Sequence, residues 1–194
     1  MTCIVGIAAE GHVWIGGDSA AAGDWETREC FNPKVFTVGE ILIGYTTSWR
    51  MAQILRGHLE LPDAPERHPE LLESAAPYIM EKVVEEIRII LHKYHWATEE
   101  DNKQKGGNLL IGYRGHLFEV GADYGVTEMA DEYDAIGCGG PYALGALHAT
   151  RETGISPEYR VKMALEAAAH MSGGVMPPFY IMCLRPDGTI GLLP

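Results

Sequence analysis

Residues Thr2 to Ala8 are β-rich and alternate in polarity, Glu10-Gly11 supplies a turn, and His12 to Gly16 returns, which predicts a hairpin. A small-residue stretch from Gly16 to Gly23 follows, and the pattern is then lost until Lys34. Lys34 to Val38 and Ile41 to Thr46, joined at Gly39-Glu40, predict a second hairpin. The period then changes. Met51, Ile54 and Leu55 share one helical face that stops near Gly57, and residues 57–69 carry Pro62, Pro65 and Pro69 and read as a loop. From Leu71 or Pro77 to His95 the positions Met80, Val83, Val84, Ile87, Ile90, Leu91 and Tyr94 form a buried stripe. Residues 98–107 are polar and read as a loop. Leu109 to Tyr113 and His116 to Val120, turning at Arg114-Gly115, predict a third hairpin. Pro141 suits the first turn of a helix through about Thr150. Ser156-Pro157 opens another helix that should end at Gly173-Gly174. Phe179 to Arg185 and Thr189 to Leu193, around Pro186-Asp187-Gly188, close the pattern with a last hairpin.

Strands thus come in adjacent pairs, with helices grouped between them. That order opposes alternating βαβ units and suits antiparallel sheets packed face to face with helices outside, an α+β architecture. The 194 residues fit one domain, 1–194.

Charge narrows the partners. A net charge of −12 would repel phosphates and anionic membrane surfaces, so neither nucleic acid nor a membrane is expected as partner. The longest apolar runs are far too short to span a bilayer, and no secretory signal pattern opens the chain. The four cysteines, Cys3, Cys30, Cys138 and Cys183, have no C-x-x-C spacing and read as reduced thiols of a cytoplasmic protein. His92 and His95 sit three apart on a helix, but no carboxylate completes a ligand set, so neither a metal nor another cofactor is expected.

The chain begins Met-Thr. Removal of Met1 would leave Thr2 with a free α-amine beside its own hydroxyl. An α-amine titrates near 7.7–8.0, so one residue can supply both nucleophile and base. Asp18 follows Gly16-Gly17, and Lys34 follows Asn32-Pro33. With Thr2, and with the run Asp134-Ala135-Ile136-Gly137-Cys138-Gly139-Gly140-Pro141-Tyr142-Ala143, they make the chain resemble the proteasome β-subunit and HslV-type family of N-terminal-nucleophile (threonine) hydrolases. The resemblance covers most of the chain and is loosest between about residues 58 and 108.

The resemblance implies a four-layer αββα sandwich, the Ntn hydrolase fold, and a threonine-type endopeptidase. Thr2 would attack a peptide carbonyl while its amine takes the proton. Lys34 would lower the amine's pKa, Asp18 would hold Lys34, and the amide of Gly44 would donate to the oxyanion. Taken singly, Asp18 reads as a turn residue, Lys34 as a surface residue and Gly44 as a packing glycine; taken jointly, at the family spacings, they read as an active site. The Gly137 to Gly140 run, including Gly139, reads as a tight strand-to-helix turn near the nucleophile rather than a phosphate cradle.

Two positions depart from the family. Cys138 stands where the pattern has Ser, and His170 aligns with an acidic position near the nucleophile; Ser172 takes that place if the register shifts. The resemblance further implies a ring-shaped homo-oligomer enclosing a chamber, with peptide or unfolded protein as substrate. It admits an ATP-dependent unfoldase as partner, which no pattern here encodes. Two other functions fit the same residues: a catalytically silent ring or scaffold, and an amidase acting on small molecules through Thr2.

Overall fold

The computed structural model describes residues 1–23, 26–64, 75–100 and 103–193. β1 (Cys3–Ala9) and β2 (His12–Gly17) form the first hairpin. Its turn residues Glu10 and Gly11 have φ of 50° and 74°, the left-handed pair whose twist matches the flanking strands. A short hairpin follows, β3 (Ala20–Ala22) with β4 (Thr27–Glu29), in the stretch whose pattern faded. Three-residue strands of alanine, or fully exposed ones, leave no alternation to read.

β5 (Val35–Val38) and β6 (Ile41–Tyr45) pair as expected. α1 (Trp49–His58) starts where the Ser48 hydroxyl accepts from Arg50 N at 3.0 Å. The long apolar stripe is helical throughout its described part: α2 (Ala75–Tyr78), a π-helical turn (Ile79–Val83) and α3 (Val84–Lys93). The Leu71 start, and the loop expected over 65–69, lie outside the described residues. The loop expected over 98–107 is instead in part a two-stranded ribbon, β7 (Thr98–Glu100) with β8 (Lys103–Lys105). Its polar strands carry no alternation because they join neither large sheet.

β9 (Leu109–Tyr113) and β10 (His116–Val120) form the third hairpin. β11 (Val126–Glu128) and β12 (Tyr133–Gly137) were not read as strands; each lies at the edge of a sheet. α4 (Gly140–Ala149) carries Pro141 in its first turn, and α5 (Pro157–Met171) is capped by the Ser156 hydroxyl, which accepts from Tyr159 N. β13 (Tyr180–Leu184) and β14 (Ile190–Leu193) end the chain.

Two five-stranded antiparallel sheets result, in the orders β12-β1-β2-β13-β14 and β11-β10-β9-β6-β5. Strand alternation sorts the side chains into three apolar layers. Cys3, Val5, Ile7, Ala135 and Ile181 meet α4 and α5 at Leu147, Val161 and Leu165. Ile4, Val13, Ile15, Leu42, Leu110 and Ile136 fill the space between the sheets. Ile43, Ile111, Phe118 and Val120 face α1 to α3 at Met51, Leu55, Ile79 and Ile87. The architecture is the αββα sandwich expected from the paired strands and grouped helices, with β1 next to the middle of its sheet. Its first residues are therefore held by neighbours on both sides, and Thr2 just before them is 8% exposed.

Candidate active site

Three buried polar groups converge where β1 begins. Asp18, just past the end of β2, has no exposed surface, and Lys34, just before β5, is 2% exposed. Burying both costs several kcal/mol in desolvation, which only a complete set of partners offsets. That set is present. Asp18 Oδ1 accepts from Lys34 Nζ and from Cys3 N, each at 2.9 Å, and Oδ2 accepts from Ala20 N at 2.8 Å. Lys34 Nζ donates a second bond to Ala20 O at 2.8 Å. An ammonium has three N–H groups, so one is left to face the cleft that Lys34 shares with Thr2. The Trp49 ring stands 5.8 Å from Nζ and walls that cleft, whose volume is about 180 Å³.

The Gly137-Cys138-Gly139 turn wraps Thr2 from the other side. Gly137 has φ of 94°, and a Cβ there would lie 2.3 Å from Thr2 O, so only glycine permits this approach. Cys138 Sγ accepts from Thr2 N at 3.3 Å and donates to Thr2 O at 3.4 Å. Gly139 N donates to Thr2 O at 3.3 Å. Ser172, the C-cap of α5, brings its hydroxyl 3.7 Å from Cys138 Sγ. His170 is exposed in the last turn of that helix, and its side chain forms no hydrogen bond among the described residues. The end of α5 thus meets Cys138 through Ser172, while His170 is exposed.

Gly44 lies elsewhere. It sits within β6, paired with Val35 and Leu110. Thr46 N donates to Asn108 O across the β6–β9 ladder, and the two-residue repeat of an antiparallel pair aims Gly44 N the same way, into the sheet. A Cβ on Gly44 would come within 2.4 Å of Ile4 and 2.9 Å of Ile15. Gly44 is therefore the packing glycine of the inter-sheet layer, and its amide is committed to the ladder.

The segment that reaches the cleft is Tyr45 to Trp49, and Thr47 lies within it, past the end of β6. Its φ of 75° is unusual for a β-branched residue. Its Oγ1 accepts from Asn108 N at 3.3 Å, and its own amide has no acceptor among the described residues. A Thr at left-handed φ has no signature in the sequence, whereas Gly44 carries the match to the family's glycine.

The Cys3 thiol is pushed up to about 12, by burial first and by the Asp18 and Cys138 charges next, with Lys34 opposing. Cys3 is thereby an inert packing residue, and Cys138, which is exposed, is the accessible thiol beside Thr2. The Thr2 hydroxyl is engaged by the residue before it: Thr2 Oγ1 donates to Met1 O at 2.5 Å, and the Met1 side chain rests on Gly174. Loss of Met1 frees the hydroxyl and turns the amide beside Cys138 into an amine.

No protein-family model matches the chain. The ATP-dependent protease subunit HslV of Caldicellulosiruptor saccharolyticus is 30% identical over 132 residues, which are 68% of this chain and 66% of that protein, just under two thirds of its length. Among solved structures, Thiobacillus denitrificans BPH in complex with epoxomicin superimposes with a TM-score of 0.77 at 22% identity, covering 94% of this chain and 98% of that one. Eukaryotic HslV from Trypanosoma brucei gives 0.70 at 18% identity, covering 94% and 99%. At those identities the two structures speak for the fold alone.

Proposed function

The chain belongs to the HslV-type family of N-terminal-nucleophile hydrolases, and from that premise we propose that it is a threonine-type endopeptidase using Thr2 once Met1 is removed. The observation that carries the reading is the buried Asp18–Lys34 pair opening on the cleft that holds Thr2. Lys34 has no structural need to be buried there; a lysine taken out of water and fully paired at a nucleophile points to electrostatic work.

In this mechanism the Lys34 ammonium disfavours a second cation and keeps the Thr2 amine neutral near physiological pH. The amine takes the Oγ1 proton, directly or through a water, as Oγ1 attacks the carbonyl carbon of a peptide bond. Negative charge moves to the carbonyl oxygen, where the unpaired Thr47 N–H donates to it. Collapse breaks the C–N bond, the leaving amine takes the proton, and an acyl-Thr2 ester remains. Water, activated by the same amine, attacks the ester and releases the acid. Asp18 and Cys138 act by position: Asp18 fixes Lys34, and the Cys138 thiol accepts from the Thr2 amine.

The relative named above is a subunit of an ATP-dependent protease. By analogy this chain assembles with its own copies into a ring with inward-facing sites, acts on peptides or unfolded proteins, and takes an ATP-driven unfoldase as partner. The test is intact-protein mass spectrometry before and after epoxomicin. Loss of Met1 followed by a stoichiometric adduct that disappears in Thr2→Ala supports the peptidase. Processed protein that never forms the adduct or cleaves peptides overturns it in favour of a silent scaffold.

A further inference from the structure

Two carboxyl groups meet in the apolar layer between the sheets. Along β12, Tyr133 and Ala135 face α4 and α5, so Asp134 and Ile136 face inward. Along β10, Phe118 and Val120 face α1 to α3, so Leu117 and Glu119 face inward. Asp134 is 6% exposed. Its Oδ1 accepts from Ala135 N at 2.7 Å, whereas its buried Oδ2 has no well-formed hydrogen bond. Glu119, half-buried on the facing strand of the opposite sheet, is the charged side chain that couples to Asp134.

No cation of the chain balances the pair among the described residues. Gly6 is the register neighbour of Asp134 on β1; Leu110 on β9 and Thr127 on β11 flank Glu119. None of them is charged. The His116–Glu128 contact shares the face of Phe118, which is the other side of that sheet. Arg151 pairs with Asp131 and Glu152 at the surface, and Glu132 is exposed. An orphaned buried carboxylate oxygen beside a second carboxyl calls for a positive charge from outside the chain, and the smallest one is a proton.

We propose that Glu119 and Asp134 share one proton across the two sheets, clamping the edge at which β12 carries Gly137 to Gly139 to Thr2. Glu119 holds the proton and donates it to the Asp134 carboxylate, which gives the buried oxygen its missing partner. Desolvation by burial is the largest cause raising both groups above ordinary carboxyl values; the Asp134 charge and hydrogen bond raise Glu119 further, while bonds from Ala135 N and Glu119 partly offset the rise at Asp134. The sign follows from the direction. Groups raised in the folded state stabilise it fully below the unfolded carboxyl range, and that contribution is lost as pH rises through the folded values. This clamp does not depend on the peptidase reading.

The test is the melting temperature of the full chain, at fixed concentration, from about pH 4.5 to 8.5, for the wild type, Glu119→Gln and Asp134→Asn. The Gln amide donates to Asp134 at every pH, and the Asn variant removes the buried charge. The wild type should lose about 3 °C or more relative to both variants as pH rises, on the scale of one pKa unit. Hydrogen exchange of the β12 amides should rise over the same window in the wild type only. Parallel melting curves for all three proteins would refute the shared proton, and a melting shift without faster β12 exchange would refute the clamp. Added Mg²⁺ or Ca²⁺ that raises the wild-type melting temperature at high pH, but not that of Glu119→Gln, would replace the proton with a metal cation.

Discussion

Replacing Lys34 by Met separates what the buried ion pair does for stability from what it does for chemistry. Met matches the lysine stem as far as Cε and removes the charged Nζ, so Asp18 keeps the bonds from Cys3 N and Ala20 N and loses Lys34 Nζ at 2.9 Å. With no exposed surface, Asp18 has no water to replace the cation. Breaking one partner of a buried pair costs about 3–5 kcal/mol. For a domain of this size that is a fall in melting temperature of roughly 6–20 °C. Adding Asp18→Asn removes the stranded charge, so the double variant should regain about 2 kcal/mol of that loss in a double-mutant cycle read by urea unfolding. Peptide hydrolysis and epoxomicin labelling should stay absent in both variants, because neither restores a cation beside Thr2. A coupling energy below about 0.5 kcal/mol would refute the argument that the two side chains hold each other. Labelling at the wild-type rate in Lys34→Met would refute the role of Lys34 in activating Thr2.

Gly44→Ala places a methyl group within 2.4 Å of Ile4 and 2.9 Å of Ile15, and should cost about 1–3 kcal/mol in denaturant unfolding while the folded fraction labels normally. A stable variant that no longer labels would instead return the oxyanion role to Gly44. Cys138→Ser keeps an acceptor for the Thr2 amine and should label within about threefold of the wild type, since 1 kcal/mol is about fivefold in rate. Iodoacetamide should block labelling of the wild type and spare Cys138→Ser; equal inhibition of both would show that another thiol is responsible.

The sequence by itself determined the paired strands, because short β-rich apolar runs on either side of a turn signal mark hairpins, and β1–β2, β5–β6 and β9–β10 each have that form. It determined the helical stripe from Pro77 onward, the Pro141 start of α4 and the Ser156 cap of α5, which depend on neighbouring residues alone. It also offered Thr2, Asp18 and Lys34 as a set, and these lie together around the start of β1. What it left out depends on contacts distant in the chain. Edge strands β11 and β12 exist because β10 and β1 pair with them. Which amide near the end of β6 stays free depends on what the β6–β9 ladder consumes, and which side chain meets Cys138 depends on where α5 ends. The Asp134 carboxyl has no signature along the chain; its burial follows only when two sheets close over it. Periodicity and capping are local and can be read along a chain; burial, pairing and the fate of each hydrogen bond are fixed only when remote segments pack.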